Sequence, residues 1–209
     1  MIRTKNKRQR LNEKTKKFIK HVKEHLAKYN MKLVWGRGEF VQCGGYTSNA
    51  YFSEGDGVIK VARKNPYWLE SLVHEYGHFL QWINRSPIYK NSHNAILNID
   101  KWFQRENIAK NRLKKSFTVV REMERECEIL ACKLSKQYQL PINRRGYARR
   151  ANVYIYSHWI MEQQQKFWAF RRDPMSSRYI LSLMPANFRV HAHRKIPTKI
   201  QKALEGYLH

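Results

Sequence analysis

The chain has 209 residues, 42% of them hydrophobic and 13% aromatic. That is enough apolar material to bury a core without disulfide staples, and it excludes a disordered tail protein. Lys and Arg number 41 against 16 Asp and Glu, a net charge of +25. This is more than solubility asks of a small domain, and it has no use in a free-standing small-molecule enzyme. It predicts a polyanionic neighbourhood, nucleic acid (DNA or RNA) first, with an anionic membrane surface or an acidic protein behind it. Cys43, Cys127 and Cys132 cannot make a fully paired disulfide framework, and none sits in a C-x-x-C pair. A reducing, cytoplasmic or intracellular setting is therefore expected, a virion included. No secretory apolar core occupies the first twenty residues, and no run approaches the roughly 18 apolar residues of a transmembrane segment. The sequence reads as a soluble protein.

In chain order, residues 1–30 carry a net +9 and include an amphipathic helix over 11–29, with Leu11, Phe18, Ile19, Val22, Leu26 and Tyr29 on one side. Residues 31–100 are nearly neutral. Glycines punctuate their first half, and strands are expected at 39–43, 48–53 and 58–62. A helix over 67–84 follows Asn65-Pro66, with Asn65 as its cap, Pro66 at its first position and Pro87 marking its exit. Further helices are expected at 94–111, 117–138, 147–170 and 198–208. The pattern predicts an α+β fold, mostly helical, with one small early sheet. It divides into a basic N-terminal helix (1–30), a core (31–140) and a basic helical C-terminal extension of the same domain (141–209).

The residues richest in chemistry are His74-Glu75-Tyr76-Gly77-His78. Histidines at i and i+4 share a helix face and reach one zinc ion, and the glutamate after the first is placed to take a proton from metal-bound water. Leu69, Leu72, Val73, Tyr76, Leu80 and Ile83 form an apolar stripe, while Ser71, His74, Glu75, His78 and Trp82 fall on the other side. A solvated helix would fill that second face with Lys and Glu, so this helix is expected to lie between two layers. A reversed pattern, His21-Val22-Lys23-Glu24-His25, competes with it. Lys16, Lys17, Lys20, Lys23 and Lys28 surround it and would repel a dication. His191 and His193 share a face of an extended segment and read better as exposed tail residues.

An open zinc site needs a third protein ligand. In the segment 121–131, Val120, Met123, Cys127, Leu130 and Leu134 form an apolar seam flanked at similar angles by Glu124 and Glu126. Periodicity leaves the choice between the two glutamates open. Cys127 reads as a small buried hydrophobe before it reads as a thiolate ligand.

HExxH followed by a downstream glutamate helix resembles the glutamate zincins, the ImmA/IrrE-like and M48-type metallopeptidases, over Val58 to about Leu140. It is also similar to zincin-like proteins of tailed phages. The resemblance implies a zincin-like core, a Zn2+ cofactor held by His74, His78 and Glu124, and Glu128 supporting the site from behind. The chain departs from the pattern in having Cys127 for an alanine and Glu128 for an Asp or Asn. A second resemblance, to the SprT/Spartan group of DNA-associated proteases, makes His93 the third ligand, although Asn94 replaces the usual glycine and no cysteine-rich ribbon follows.

The implied reaction is hydrolysis of a protein or peptide substrate, with Glu75 as general base and then acid. The zincin resemblance also implies that the strand at 58–62 is the edge along which an extended substrate adds. A third possibility is a non-catalytic nucleic-acid-binding or virion structural protein on a zincin fold. Aromatic and basic residues interleave at 144–156 and 167–172, the mixture that stacks bases and neutralises phosphates. Tyr147, Val153, Tyr154, Trp159 and Trp168 read more readily as a helix core face.

Overall fold

Apolar residues spaced by three and four turn the first segment of the computed structural model, which describes residues 11–44, 46–165, 173–189 and 195–207, into helix α1 (Glu13–Ala27). Asn12 caps it, its side chain accepting from Thr15 N at 2.8 Å. Its inner face buries Thr15, Phe18, Val22 and Leu26.

Five short strands follow: β1 (Lys32–Gly36), β2 (Val41–Cys43), β3 (Tyr46–Ser48), β4 (Ala50–Ser53) and β5 (Val58–Ala62). β2 and β3 pair as an antiparallel hairpin, turning through Gly44 at φ +52°. The other three form a sheet in the order β1-β5-β4. β5 lies parallel to β1, with Lys32 opposite Val58, and antiparallel to β4, with Ala50 opposite Val61. The expected edge role of 58–62 is thus overturned, because β5 is the central strand. Its sequence carries the reason: Val58, Ile59, Val61 and Ala62 are all buried, so apolar residues cover both faces, the signature of an interior strand. The sheet edge near the motif helix is β4.

The motif helix α2 runs Trp68–Ile83. Asn65 does not cap it and Pro66 precedes it. Asn65 instead accepts from Tyr67 N at 2.9 Å and donates to Asn49 Oδ1 at 2.9 Å and the Glu39 carbonyl at 3.3 Å, fixing the strand-to-helix turn from below. Pro87, read as an exit signal, opens helix α3 (Pro87–Phe103) at its first turn, after Arg85 reverses the chain at φ +52°. α4 (Lys110–Gln137), α5 (Arg144–Gln164), a 3₁₀ turn at Pro174–Ser176, α6 (Arg178–Leu183) and α7 (Thr198–Glu205) complete the described chain. β1 and α6 have no counterpart in the sequence reading.

The architecture is α+β and mostly helical with a small early sheet. One core joins α1 (Phe18, Val22, Leu26), the sheet (Ile59, Val61), α2 (Leu72, Val73, Tyr76, Phe79) and the end of α4 (Ala131, Leu134). A second unites α5, α6 and α7 around Val153, Tyr156, Ile180 and Ile200, and a third lies between α3 and α4 around Ile99 and Phe117. The motif helix is therefore sandwiched, as its two-faced pattern predicted. Among the described residues no helix is long and apolar enough to cross a membrane.

Candidate metal centre

The motif face of α2 lies against α4, and the sequence permits the close approach at one position. A Cβ built on Gly77 would stand 2.8 Å from Cys127 Sγ and 3.2 Å from the Cys127 carbonyl oxygen, so any larger residue would force the helices apart. Cys127 is fully buried, and its thiol donates to the His74 carbonyl at 3.1 Å.

That contact brings α4 acids onto the α2 imidazoles. His74 Nε2 and His78 Nε2 are 3.1 Å apart, and Glu124 Oε2 is 3.5 Å from each. Four donors arranged tetrahedrally at zinc–nitrogen distances of 2.0–2.1 Å stand about 3.3–3.4 Å from one another, so this triangle has the dimensions of one face of such a site. Glu124 Oε2 is buried and has no hydrogen-bond partner. A carboxylate oxygen withdrawn from water and left without a donor is costly unless a cation supplies the missing partner. The residues present therefore fit a metal ion.

His74, His78 and Cys127 also bring one donor atom each within 4.8 Å of one another, a group positioned to bind a metal ion. Cys127 Sγ, however, lies 3.7 Å from Nδ1 of His74, the ring nitrogen that faces away from the triangle. The same Nδ1 is 3.0 Å from Glu128 Oε1. A carboxylate only accepts, so Nδ1 carries a proton, and Nε2 is the nitrogen whose lone pair a metal ion would take in place of a proton. Glu128 in turn accepts from the Tyr147 hydroxyl of α5.

The electrostatics follow from burial and neighbours. Burial alone disfavours the imidazolium of either ring, but their anionic neighbours on α4 outweigh it and hold both His74 and His78 well above the usual pKa. Burial would raise Glu124, yet His78, His74 and His158 pull it down to about 2. Glu75 behaves oppositely: burial raises it, and His74 and His78 only partly offset the rise. A carboxylate raised above its usual range suits a proton shuttle. The Phe52 backbone of β4 lowers it slightly, which places the carboxylate near the sheet edge.

Several residues at this centre escaped the sequence reading. Tyr154 and His158, one turn apart on α5 with ring centroids 4.7 Å apart, lie close enough to Glu124 for its charge to act on both. Burial, followed by Glu124, raises the Tyr154 phenol so that it stays protonated, and burial lowers His158 to about 4. The Arg150 guanidinium forks onto Glu70 at 3.0 and 2.5 Å and fastens α5 to α2. Tyr89 of α3 stands with its ring 6.3 Å from His78. Gln81 Oε1 lies 2.8 Å from His78 Nδ1. The i, i+7 spacing of His74 and Gln81 on one helix face was a visible signal for the last of these; the α5 residues arrive from a distant segment with no local pattern to betray them.

Other candidates lie elsewhere. His93 Nε2 sits 3.3 Å from Glu54 Oε1, half exposed, and takes no part in the triangle. Glu126 accepts from Gln81 and Ser86, and Glu122 from Arg125 at 2.9 Å, so of the α4 acids Glu124 and Glu128 meet the histidines. His21 Nε2 and His25 Nδ1 both point at the Tyr76 hydroxyl, at 2.9 and 2.6 Å. His191, His193, Trp168 and the 167–172 stretch fall outside the described residues. On α5, Tyr147 and Val153 are buried and Trp159 lies beneath the Arg121 guanidinium at 3.8 Å, so these side chains are engaged within the protein.

No family model, no curated protein and no solved structure matches this chain.

Proposed function

We propose that this chain is a zinc-dependent metallopeptidase that hydrolyses peptide bonds. The observation that carries the reading is the buried, partnerless Glu124 oxygen 3.5 Å from two imidazole nitrogens. His74, His78 and Glu124 would hold the ion, and Cys127, its thiol engaged with the His74 carbonyl, would pack behind it. Imidazole and carboxylate donors at this spacing suit Zn2+. A bound zinc supplies an acidified water and a Lewis acid for the scissile carbonyl. Glu75 takes the proton of the attacking water and delivers it to the leaving amine. Glu128, itself fixed by Tyr147, keeps His74 oriented. The protonated Tyr154 phenol supplies an O–H donor for the developing oxyanion. An extended substrate adds along β4, beside Glu75, rather than along β5.

The excess of positive charge supports action near nucleic acid. Lys17 and Lys23 on α1 and Lys28 just after it are exposed, as are Lys110, Arg112, Lys114 and Lys115 at the start of α4. The same surface supports the alternative of a non-catalytic nucleic-acid-binding or virion protein. The pairing of His93 with Glu54, apart from the triangle, weighs against the SprT-like reading.

One experiment separates these readings. The purified chain is assayed for zinc by mass spectrometry and for cleavage of an unfolded protein, beside Glu75→Gln. The peptidase reading expects one zinc in both and cleavage by the wild type alone. Zinc with no cleavage of any unfolded protein transfers the chain to the non-catalytic class, and a steep loss of DNA or RNA affinity with salt then measures its phosphate contacts.

A further inference from the structure

The two histidines of the triangle are held from behind by different chemistry. His74 has a carboxylate; His78 has the buried amide of Gln81. An amide can present either its oxygen or its nitrogen, so on its own it does not dictate which nitrogen of His78 carries the proton. The surroundings of Gln81 remove that freedom. Its Nε2 lies 3.0 Å from the Met123 carbonyl oxygen and 2.6 Å from Glu126 Oε2, both on α4 and both able only to accept. Rotating the amide would set its oxygen against two further oxygens. The NH₂ group therefore faces α4, Oε1 faces His78, and only the Nδ1–H form of that ring satisfies it. Glu126 is anchored in its turn by Ser86 Oγ, at 2.7 Å, from the residue that precedes α3.

We propose that Gln81, oriented by Glu126, is a positioning residue: it holds His78 in the tautomer whose Nε2 lone pair faces Glu124. The pair of α4 glutamates thus divides the work, Glu124 turning inward to the ion and Glu126 turning outward to aim the ring that binds it. The inference rests on the metal-centre reading and is independent of whether peptides are cut.

The test uses the full chain, isotopically labelled, with two readouts. Long-range proton–nitrogen spectra of the histidine rings, taken without metal at a pH high enough to neutralise them, report the tautomer. Competition with a chromophoric chelator reports zinc affinity. The wild type is expected to show His78 as Nδ1–H. Gln81→Leu is expected to shift His78 toward Nε2–H and to weaken zinc about 10- to 100-fold, with His74 unchanged. Glu126→Leu frees the amide to turn and moves both readouts the same way with less disturbance of the core. Glu126→Gln keeps an acceptor and restores both. The double Leu variant should bind zinc no more weakly than Gln81→Leu alone, since the two act in series. An Nε2–H tautomer in the wild type overturns the proposal, as does a loss of thermal stability in both Leu variants with tautomer and affinity unmoved. A wild-type chain that takes up no zinc ends the metallopeptidase reading, while its His78 tautomer still decides this one.

Discussion

Two histidine pairs with the same i, i+4 spacing and a glutamate close by lie on neighbouring helices, and they have opposite fates. On α1, His21 and His25 turn their rings onto one phenol, Tyr76, whose hydroxyl is hydrogen-bonded to both. Their nitrogens are spent on locking α1 to the motif helix. On α2, His74 and His78 are each held from behind, so their Nε2 atoms meet a carboxylate that has no other partner. Spacing brings two imidazoles together in both cases. The outer hydrogen bonds and the arrival of a carboxylate from another helix decide whether the pair is positioned to bind a metal ion or closes as a clasp.

The sharpest way to break that comparison is to remove the third donor. Glu124→Ala should abolish stoichiometric zinc binding, whereas His21→Ala with His25→Ala should leave one zinc per chain; elemental analysis after dialysis distinguishes them. If the α1 double variant loses the metal, the assignment of the two pairs is reversed. Next in size, Glu75→Gln should lower cleavage about 10²- to 10⁴-fold with zinc retained. Gly77→Ala comes third. Its methyl would meet Cys127 Sγ at 2.8 Å, and the overpacking should cost about 1–3 kcal/mol in denaturant unfolding. Cys127→Ala in the same chain should recover part of that loss. Tyr76→Phe removes the hydroxyl shared by the α1 pair and should cost about 1 kcal/mol with no change in zinc content.

The smallest effect concerns pH. Burial holds His25 below the usual imidazole range, with His21 and Lys28 adding to it. The folded chain therefore resists protonation there more than the unfolded chain does. This contribution to stability is complete above the unfolded pKa of about 6.5 and is lost as pH falls through the lowered folded value. The protection of α1 amides against hydrogen exchange, relative to their intrinsic rates at each pH, should fall on acidification through that window, and His25→Gln should flatten the response. An unchanged exchange profile in that variant would show that the clasp does not set the pH dependence.

The legible part of this molecule was whatever a single helix or strand encodes within itself. The two-faced pattern of 69–83 gave both the burial of α2 and the sharing of one face by His74, Glu75 and His78. The run Val58–Ala62 gave a strand with the bounds observed, but its place in the sheet required knowing that 32–36 is also a strand. Lys32, Leu33, Val34, Trp35 and Gly36 show no alternation that announces one. Glu124 and Glu126 flank their apolar seam at similar angles, and only the packing of α4 on α2 turns one toward the histidines and the other toward Gln81. Tyr154 and His158 were hidden for the same reason: sequence periodicity describes a helix face, not what that face will meet.

The isolated oxygen of Glu124 has a consequence for the life of the protein as well as for its chemistry. If the triangle it forms with His74 and His78 takes up an ion, completion of the fold depends on supply. Ligand present at a hundred times its dissociation constant stabilises a folded chain by about 2.7 kcal/mol, enough to alter how long it survives surveillance by cellular proteases. Abundance of the wild-type chain should then track the zinc of the growth medium, while that of Glu124→Ala should not, and a pulse-chase in zinc-depleted cells would register the difference.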